Sequence, residues 1–285
     1  MVYSTNDALQ QEIQQQKEKG KTIGLVPTMG ALHQGHIDLI TDAAAKCDIV
    51  VISIFVNPTQ FNDASDLENY PREVDQDVQM IHRLEVDTIV YTPSVEAVYG
   101  NAVKTIDYDF GSIIQYMEGQ YRKGHFGGVG TVIKHLFDIV QPHKAFFGEK
   151  DYQQLRLIQL LVKKTGQPVQ IIGCATSREE SGLARSSRNK RLNADQLQQA
   201  AIIPKALELA RSHFHQKTIV GIKRDIRNMF ADSPVELEYF EIAPITDLIP
   251  VDEAVEGEDH RAFIAAFVNG VRLIDNKLLD GYAHG

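Results

Sequence analysis

Along the first 175 residues, apolar positions follow two rhythms: stretches that recur every three to four residues, and short, nearly unbroken apolar runs. The first rhythm predicts amphipathic helices and the second buried strands, so their regular succession predicts stacked βαβ units around a parallel sheet. Residues 6–19 predict a helix ending at Gly20, a residue that tolerates the left-handed backbone on which helices stop. Residues 22–26 predict a strand halted by Pro27, residues 36–46 a second helix, and residues 48–56 the clearest buried strand. Further on, 74–84, 129–140 and 151–164 predict helices, while 87–91, 144–147 and 169–174 predict strands.

After residue 176 the texture changes. A basic stretch, 186–191, precedes a long predicted helix over 195–215 and a shorter one over 219–230. Strand-like 235–242 and 261–268 then flank an acidic, proline-punctuated stretch that reads as exposed connections. The expected architecture is therefore α/β: a Rossmann-like parallel-sheet domain over 1–176, followed by a smaller C-terminal α+β domain over 177–285.

Composition narrows the field of partners. The chain of 285 residues carries 29 Lys plus Arg against 38 Asp plus Glu, a formal charge of −9, which repels nucleic-acid backbones and anionic membranes. No nucleic-acid or membrane partner is expected. Cys47 and Cys174 adjoin apolar segments, whereas a secreted disulfide scaffold carries more cysteines at tighter spacing, so a reducing cytoplasm is the expected location. The Gln-rich start lacks an apolar run of signal-peptide length, and the strongest apolar run, 49–56, is too short to cross a bilayer.

Several familiar signatures fail. Gly20-Lys21-Thr22 imitates the end of a phosphate-binding P-loop, but Gln15 stands where its first glycine belongs. The glycine-dense segment 124–130 does not follow a strand at dinucleotide-fingerprint spacing, and no paired Cys-x-x-Cys or His-Glu-x-x-His exists for zinc.

Three segments carry candidate chemistry. Pro27-Thr28-Met29-Gly30-Ala31-Leu32-His33-Gln34-Gly35-His36 follows a predicted sheet strand and leads into a helix, where ligands bind in open α/β sheets. His33 and His36, three residues apart, can face one ligand; Gly35 offers no side-chain obstruction, and free amides at the helix start favour phosphate. The second segment, Gly148-Glu149-Lys150-Asp151-Tyr152-Gln153-Gln154, is another strand-to-helix turn. Lys150 beside a helix N-terminus opposes the dipole unless an anion lies between them. The third, from Ser177 to Asn189, sets Ser186 and Ser187 between Arg185 and Arg188 as an expected anion clamp.

These segments, together with Ser53-Ile54-Phe55-Val56-Asn57-Pro58-Thr59-Gln60-Phe61, Tyr70-Pro71-Arg72, Glu118 to Thr131 and Arg272-Leu273-Ile274-Asp275-Asn276, resemble the pantothenate synthetase family within the nucleotidyl-transferase superfamily. His-x-Gly-His marks only the superfamily; Asn-Pro-x-Gln-Phe and Gly-Glu-Lys-Asp are more specific. The resemblance implies an AMP-forming ligase that joins pantoate to β-alanine at the expense of ATP, with Mg2+ accompanying the nucleotide and a homodimer as the assembly. It implies an ATP site made of Met29, Gly30, Ala31, Leu32, His33, Gln34, Gly35, His36, Gly148, Glu149, Lys150, Asp151, Ser177, Arg185, Ser186, Ser187 and Arg188. Of these, His33, His36, Lys150 and Arg188 would act on the reacting phosphates. Gln60 and Gln154 would bind pantoate, Gln60 would also face β-alanine, Asn57 and Arg122 would lie nearby, and Asp77 would be a magnesium ligand by analogy.

The implied chemistry is adenylation of the pantoate carboxylate, then attack by the amine, with the second domain as a lid that keeps water from the adenylate. Two positions depart from the family pattern: Ser181 replaces Asp, and Arg185 replaces Met or Lys. Both put the local loop geometry and ATP affinity in question. Rival readings are another nucleotidyl transferase, which has no need of 57–61, and a catalytically silent nucleotide-binding regulator.

Overall fold

The computed structural model describes residues 1–61, 67–68 and 70–279. The chain divides into two compact units: Met1–Phe110, Arg122–Glu149 and Gln154–Ala175 form the first, and Gly111–Tyr121, Lys150–Gln153 and Thr176–Gly285 the second.

The first unit is built on β1 (Val2–Tyr3), α1 (Asn6–Glu18), β2 (Ile23–Thr28), α2 (Gln34–Ala44), β3 (Ile49–Ile54), α3 (Val74–His82), β4 (Thr88–Tyr91) and α4 (Val95–Tyr99). The short α5 (Glu118–Tyr121) belongs to the second unit; α6 (His125–Val140), β5 (Lys144–Gly148), most of α7 (Tyr152–Thr165) and β6 (Gln170–Cys174) return to the first. Its six strands pair in parallel in the order β1-β4-β3-β2-β5-β6. Every residue of β3 is buried, as expected for a parallel strand near the middle of a sheet covered on both faces. From β2 the chain moves outward through β3 to β4, and from β5 outward in the opposite direction to β6, so the order reverses between β2 and β5. Ligands of open α/β sheets bind outside the carboxyl ends at such a switch point.

Pro27 does not halt β2, which runs on to Thr28. The reason lies in the pairing: β2 partners β3 along its whole length, but β5 only at Gly24 and Leu25, so Pro27 sits beyond the doubly paired stretch. Cys47 and Cys174 are free and buried in the same apolar cluster; burial foremost pushes the Cys174 thiol up to about 12.

In the second unit, α8 (Ala194–Ala200), α9 (Ile202–His213) and α10 (Ile219–Ala231) accompany an antiparallel sheet of β7 (Glu236–Pro244), β8 (His260–Val268) and β9 (Val271–Leu278), in that order. The single helix expected over 195–215 is broken at Ala200, because Pro204 cannot donate to the Ala200 carbonyl and its ring crowds it. The β8–β9 hairpin turns on Asn269 and Gly270, both at positive φ (47° and 76°). No helix among the described residues is long and apolar enough to cross a membrane.

Candidate functional site

In the first unit the candidate residues follow the carboxyl ends of β2, β3 and β5. The turn after β2 is shaped by two consecutive left-handed residues, Gly30 (φ 79°) and Ala31 (φ 51°), the second unusual for a residue with a Cβ. It is held by Asp77 of α3, only 2% exposed, whose Oδ2 accepts the Ala31 N–H (2.9 Å) and whose Oδ1 accepts the Leu32 N–H (2.7 Å). A Cβ at Gly30 would lie 2.9 Å from Asp77 Oδ2, so the carboxylate and the loop are matched in shape as well as charge. Both oxygens are thus committed to the loop. Asp77 therefore fastens the turn, and among the described residues no group of three or more His, Cys, Asp or Glu could hold a metal ion.

His33 is the N-cap of α2. Its Nδ1 accepts the Gly35 N–H (3.1 Å), and its own N–H donates to His36 Nδ1 (3.3 Å). Since both Nδ1 atoms are acceptors, each neutral ring carries its proton on Nε2. The ring centroids lie 4.1 Å apart. Several amides of this segment are engaged: Gly30 N–H donates to Thr28 Oγ1, those of Ala31 and Leu32 to Asp77, and those of His33 and Gly35 to imidazole nitrogens.

After β3, the turn Pro58–Gln60 is capped by Asn57, which is 1% exposed. Gln60 Nε2 lies 2.8 Å from Met29 Sδ, which brings Gln60 and the Met29–His36 segment together, while the His125 Nδ1–H donates to the Gln60 carbonyl (2.9 Å). The glycine-dense segment owes its composition to packing here: a Cβ at Gly128 of α6 would lie 2.3 Å from the Thr59 carbonyl. Gly148 and Glu149 end β5 in this unit, and Gln154, on α7, is half-buried.

The second unit carries the remaining candidates. Lys150, 3.6 Å from Asp151 Oδ2, is fixed through its carbonyl, which accepts from Asn276 Nδ2 of β9 (2.7 Å). Ser186 caps the turn Ser187–Arg191, its Oγ accepting the Arg188 N–H (3.3 Å). Arg185 is held by neighbours on the same loop. Its guanidinium pairs with Glu179 (3.0 Å) and donates to the Arg178 carbonyl (3.2 Å), so it braces the loop. Ser181 accepts the Leu183 N–H on its Oγ (3.4 Å), the turn-stabilising task that an Asp carboxylate performs at such a position. Arg178 makes a two-pronged contact with Asp275 of β9 (2.7 and 3.0 Å).

Comparison with known proteins covers nearly the whole chain. The family model described as pantoate-beta-alanine ligase matches residues 1–278. The chain belongs to that family. Pantothenate synthetase of Christiangramia forsetii is 47% identical over 280 residues, covering 98% of this chain and 99% of that protein. Its counterpart from Porphyromonas gingivalis is 42% identical, covering 96% and 98%. Among solved structures, pantothenate synthetase from Thermus thermophilus superposes with a TM-score of 0.90 at 35% identity, covering 98% of this chain and 99% of that one. The ligase from Francisella tularensis, solved with β-γ ATP and β-alanine, gives 0.80 at 35% identity, covering 99% and 98%. Within this ligase family, Asn57, Tyr99, Asp77 and the β9 residues were not assigned their structural tasks from the sequence. The one available signal was Asn269-Gly270, a hairpin dipeptide that would have revealed β9.

Proposed function

We propose that this ligase condenses pantoate with β-alanine in two steps through a pantoyl adenylate. The pantoate carboxylate, already ionised and needing no general base, attacks the α-phosphorus of ATP and expels pyrophosphate. The neutral amine of β-alanine then attacks the adenylate carbonyl, an amide bond forms, and AMP leaves with the C–O electron pair. The enzyme's task in the first step is alignment and charge stabilisation. The observation that supports this reading is the mutual capping of His33 and His36 at the start of α2, which sets their two rings 4.1 Å apart at the carboxyl end of β2.

In the same reading, Lys150, Ser186, Ser187 and Arg188 act on the ATP phosphates, with Gly148, Glu149, Asp151 and Ser177 in the nucleotide site. Gln60 and Gln154 offer neutral amides to pantoate, which bind a carboxylate or hydroxyl without blunting the nucleophile as a lysine would. Magnesium enters with ATP as part of the substrate, in keeping with its retention of bound water. The working assembly is a homodimer and the compartment the cytoplasm, with the C-terminal portion serving as a cover for the adenylate.

The test is isotope exchange. With pantoate, Mg2+ and ATP but no β-alanine, labelled pyrophosphate is expected to enter ATP, and free AMP to appear only on addition of β-alanine. Full activity without any exchange in the absence of β-alanine would refute the two-step route.

A further inference from the structure

Gln60 has an ambiguous side chain. One end of its amide donates and the other accepts, and which end faces a ligand decides which ligand it takes. Behind it, Asn57 Nδ2 donates to Gln60 Oε1 (3.1 Å), which turns the acceptor inward and leaves Nε2 on the side of Met29. Asn57 is itself an amide, so its orientation must be fixed in turn. Two backbone groups that cannot exchange roles fix it: the Gly128 carbonyl accepts from Nδ2 (3.3 Å), and the Thr59 N–H donates to Oδ1 (3.4 Å). Both contacts are long. The short ones come from two hydroxyls converging on the same Oδ1, Tyr99 at 2.5 Å and Thr59 at 3.0 Å. These two hydroxyls also lie 3.0 Å from each other. Asn57 Oδ1 therefore receives its strongest hydrogen bonds from Tyr99 at the end of α4, a residue 9% exposed whose ring packs against Phe55 and His135.

We propose that Tyr99, seconded by Thr59, is a positioning residue that sets the amide of Gln60 through Asn57, so that the site presents an N–H donor and selects an acceptor oxygen of the substrate. Resting on the reading of Gln60 as the pantoate amide, the oxygen is a carboxylate or hydroxyl oxygen of pantoate. A protonated amine, which only donates, finds no partner at Gln60 Nε2. Burial above all pushes the Tyr99 phenol's pKa up, which keeps the hydroxyl a donor across the working range of pH.

Steady-state kinetics on the full chain tests this with four variants, each checked for thermal midpoint. Tyr99→Phe retains the ring and its contacts and removes only the hydroxyl, so kcat/KM for pantoate should fall about fivefold while KM for ATP stays within about twofold. Tyr99→Phe/Thr59→Val, which strips both hydroxyls from Asn57, should lower kcat/KM for pantoate by about thirtyfold or more. The deciding measurement is the cycle with Gln60→Ala: once the amide is gone, Tyr99→Phe should cost nothing further in pantoate use. Equal losses from Tyr99→Phe with and without Gln60, or a parallel fall in pantoate and ATP parameters with a lowered thermal midpoint, would show a merely structural tyrosine and overturn the proposal. If Gln60→Ala alone leaves pantoate use intact, the assignment of Gln60 itself fails, and that outcome is separately visible.

Discussion

A histidine in this chain has two jobs that a single substitution usually confounds. His33 Nδ1 caps α2 by accepting the Gly35 N–H, and in the proposed reading its Nε2 meets the phosphate. Asparagine places an amide oxygen near the position of Nδ1 and nothing near Nε2, so His33→Asn separates the two jobs. Its thermal midpoint should stay near that of the parent, whereas His33→Ala should lose about 1 kcal/mol with the cap. Both should slow pyrophosphate exchange by about a hundredfold, since each removes a donor that stabilises charge in the transition state. Unfolding curves and exchange rates on the same samples check this; an Asn variant that exchanges at the parental rate would place the ring outside the phosphate site. The candidacy of this residue could be read because His-x-Gly-His after a buried strand is a local pattern. Its tautomer was not, because that depends on which ring nitrogen meets a backbone amide.

At the scale of elements, the decisive piece is the short turn from β2 to α2, whose left-handed Ala31 costs about 1 kcal/mol relative to glycine. Asp77 of α3 offsets that cost by accepting two amides on one carboxylate. Asp77→Asn keeps one acceptor and turns an NH2 toward the other amide, so stability should drop by about 2 kcal/mol, the scale of a charge-assisted hydrogen bond exchanged for a clash of donors. KM for ATP should rise with it, because the same turn sets the start of α2 and hence His33. Denaturant titration and ATP kinetics would expose an error: an unchanged ATP KM would mean that the loop holds its shape without the carboxylate. Here the sequence was legible in rhythm and opaque in partnership. The strands and helices of the first unit were readable because each carries its own periodicity, apart from the short β1 and α4. That Asp77 faces the β2–α2 turn depends on register across a separation of 45 and 46 positions, which no local pattern records. The same holds for Asn57 and Tyr99, separated by 42 positions.

On the scale of the whole chain, the second unit is not one continuous piece. It gathers Gly111–Tyr121 and Lys150–Gln153 to the C-terminal segment, and among the strands that hold them is β9, which was not predicted. Asp275 grips Arg178, Asn276 grips the Lys150 carbonyl, and Arg272 grips Glu118 through two contacts of 2.7 and 3.0 Å while also meeting Glu238. Glu118 is 7% exposed and takes a further hydrogen bond from the Tyr239 hydroxyl (2.9 Å). Burial alone would lower the pKa of Arg272, but the hydrogen bonds and charge of Glu118, joined by Glu238, carry it above its usual value. This guanidinium is therefore a permanent cation on which two carboxylates depend. Arg272→Met keeps much of the side-chain volume and takes the Arg272 counter-charge from buried Glu118, a change that should cost about 3 to 5 kcal/mol near neutral pH. The sign of its pH dependence follows. With its cation removed, a buried carboxyl has a folded pKa raised above the unfolded value, so it favours the folded state below the unfolded pKa and loses that advantage as pH rises through the folded one. The gap between parent and Arg272→Met should therefore narrow as pH falls toward about 4. Adding Glu118→Gln to Arg272→Met should restore part of the loss at neutral pH and weaken its pH dependence, with Glu238 supplying what remains. Urea unfolding of the three proteins at a series of pH values reads this directly, and a gap that stays constant with pH would mean that Arg272 supports the second unit by packing alone.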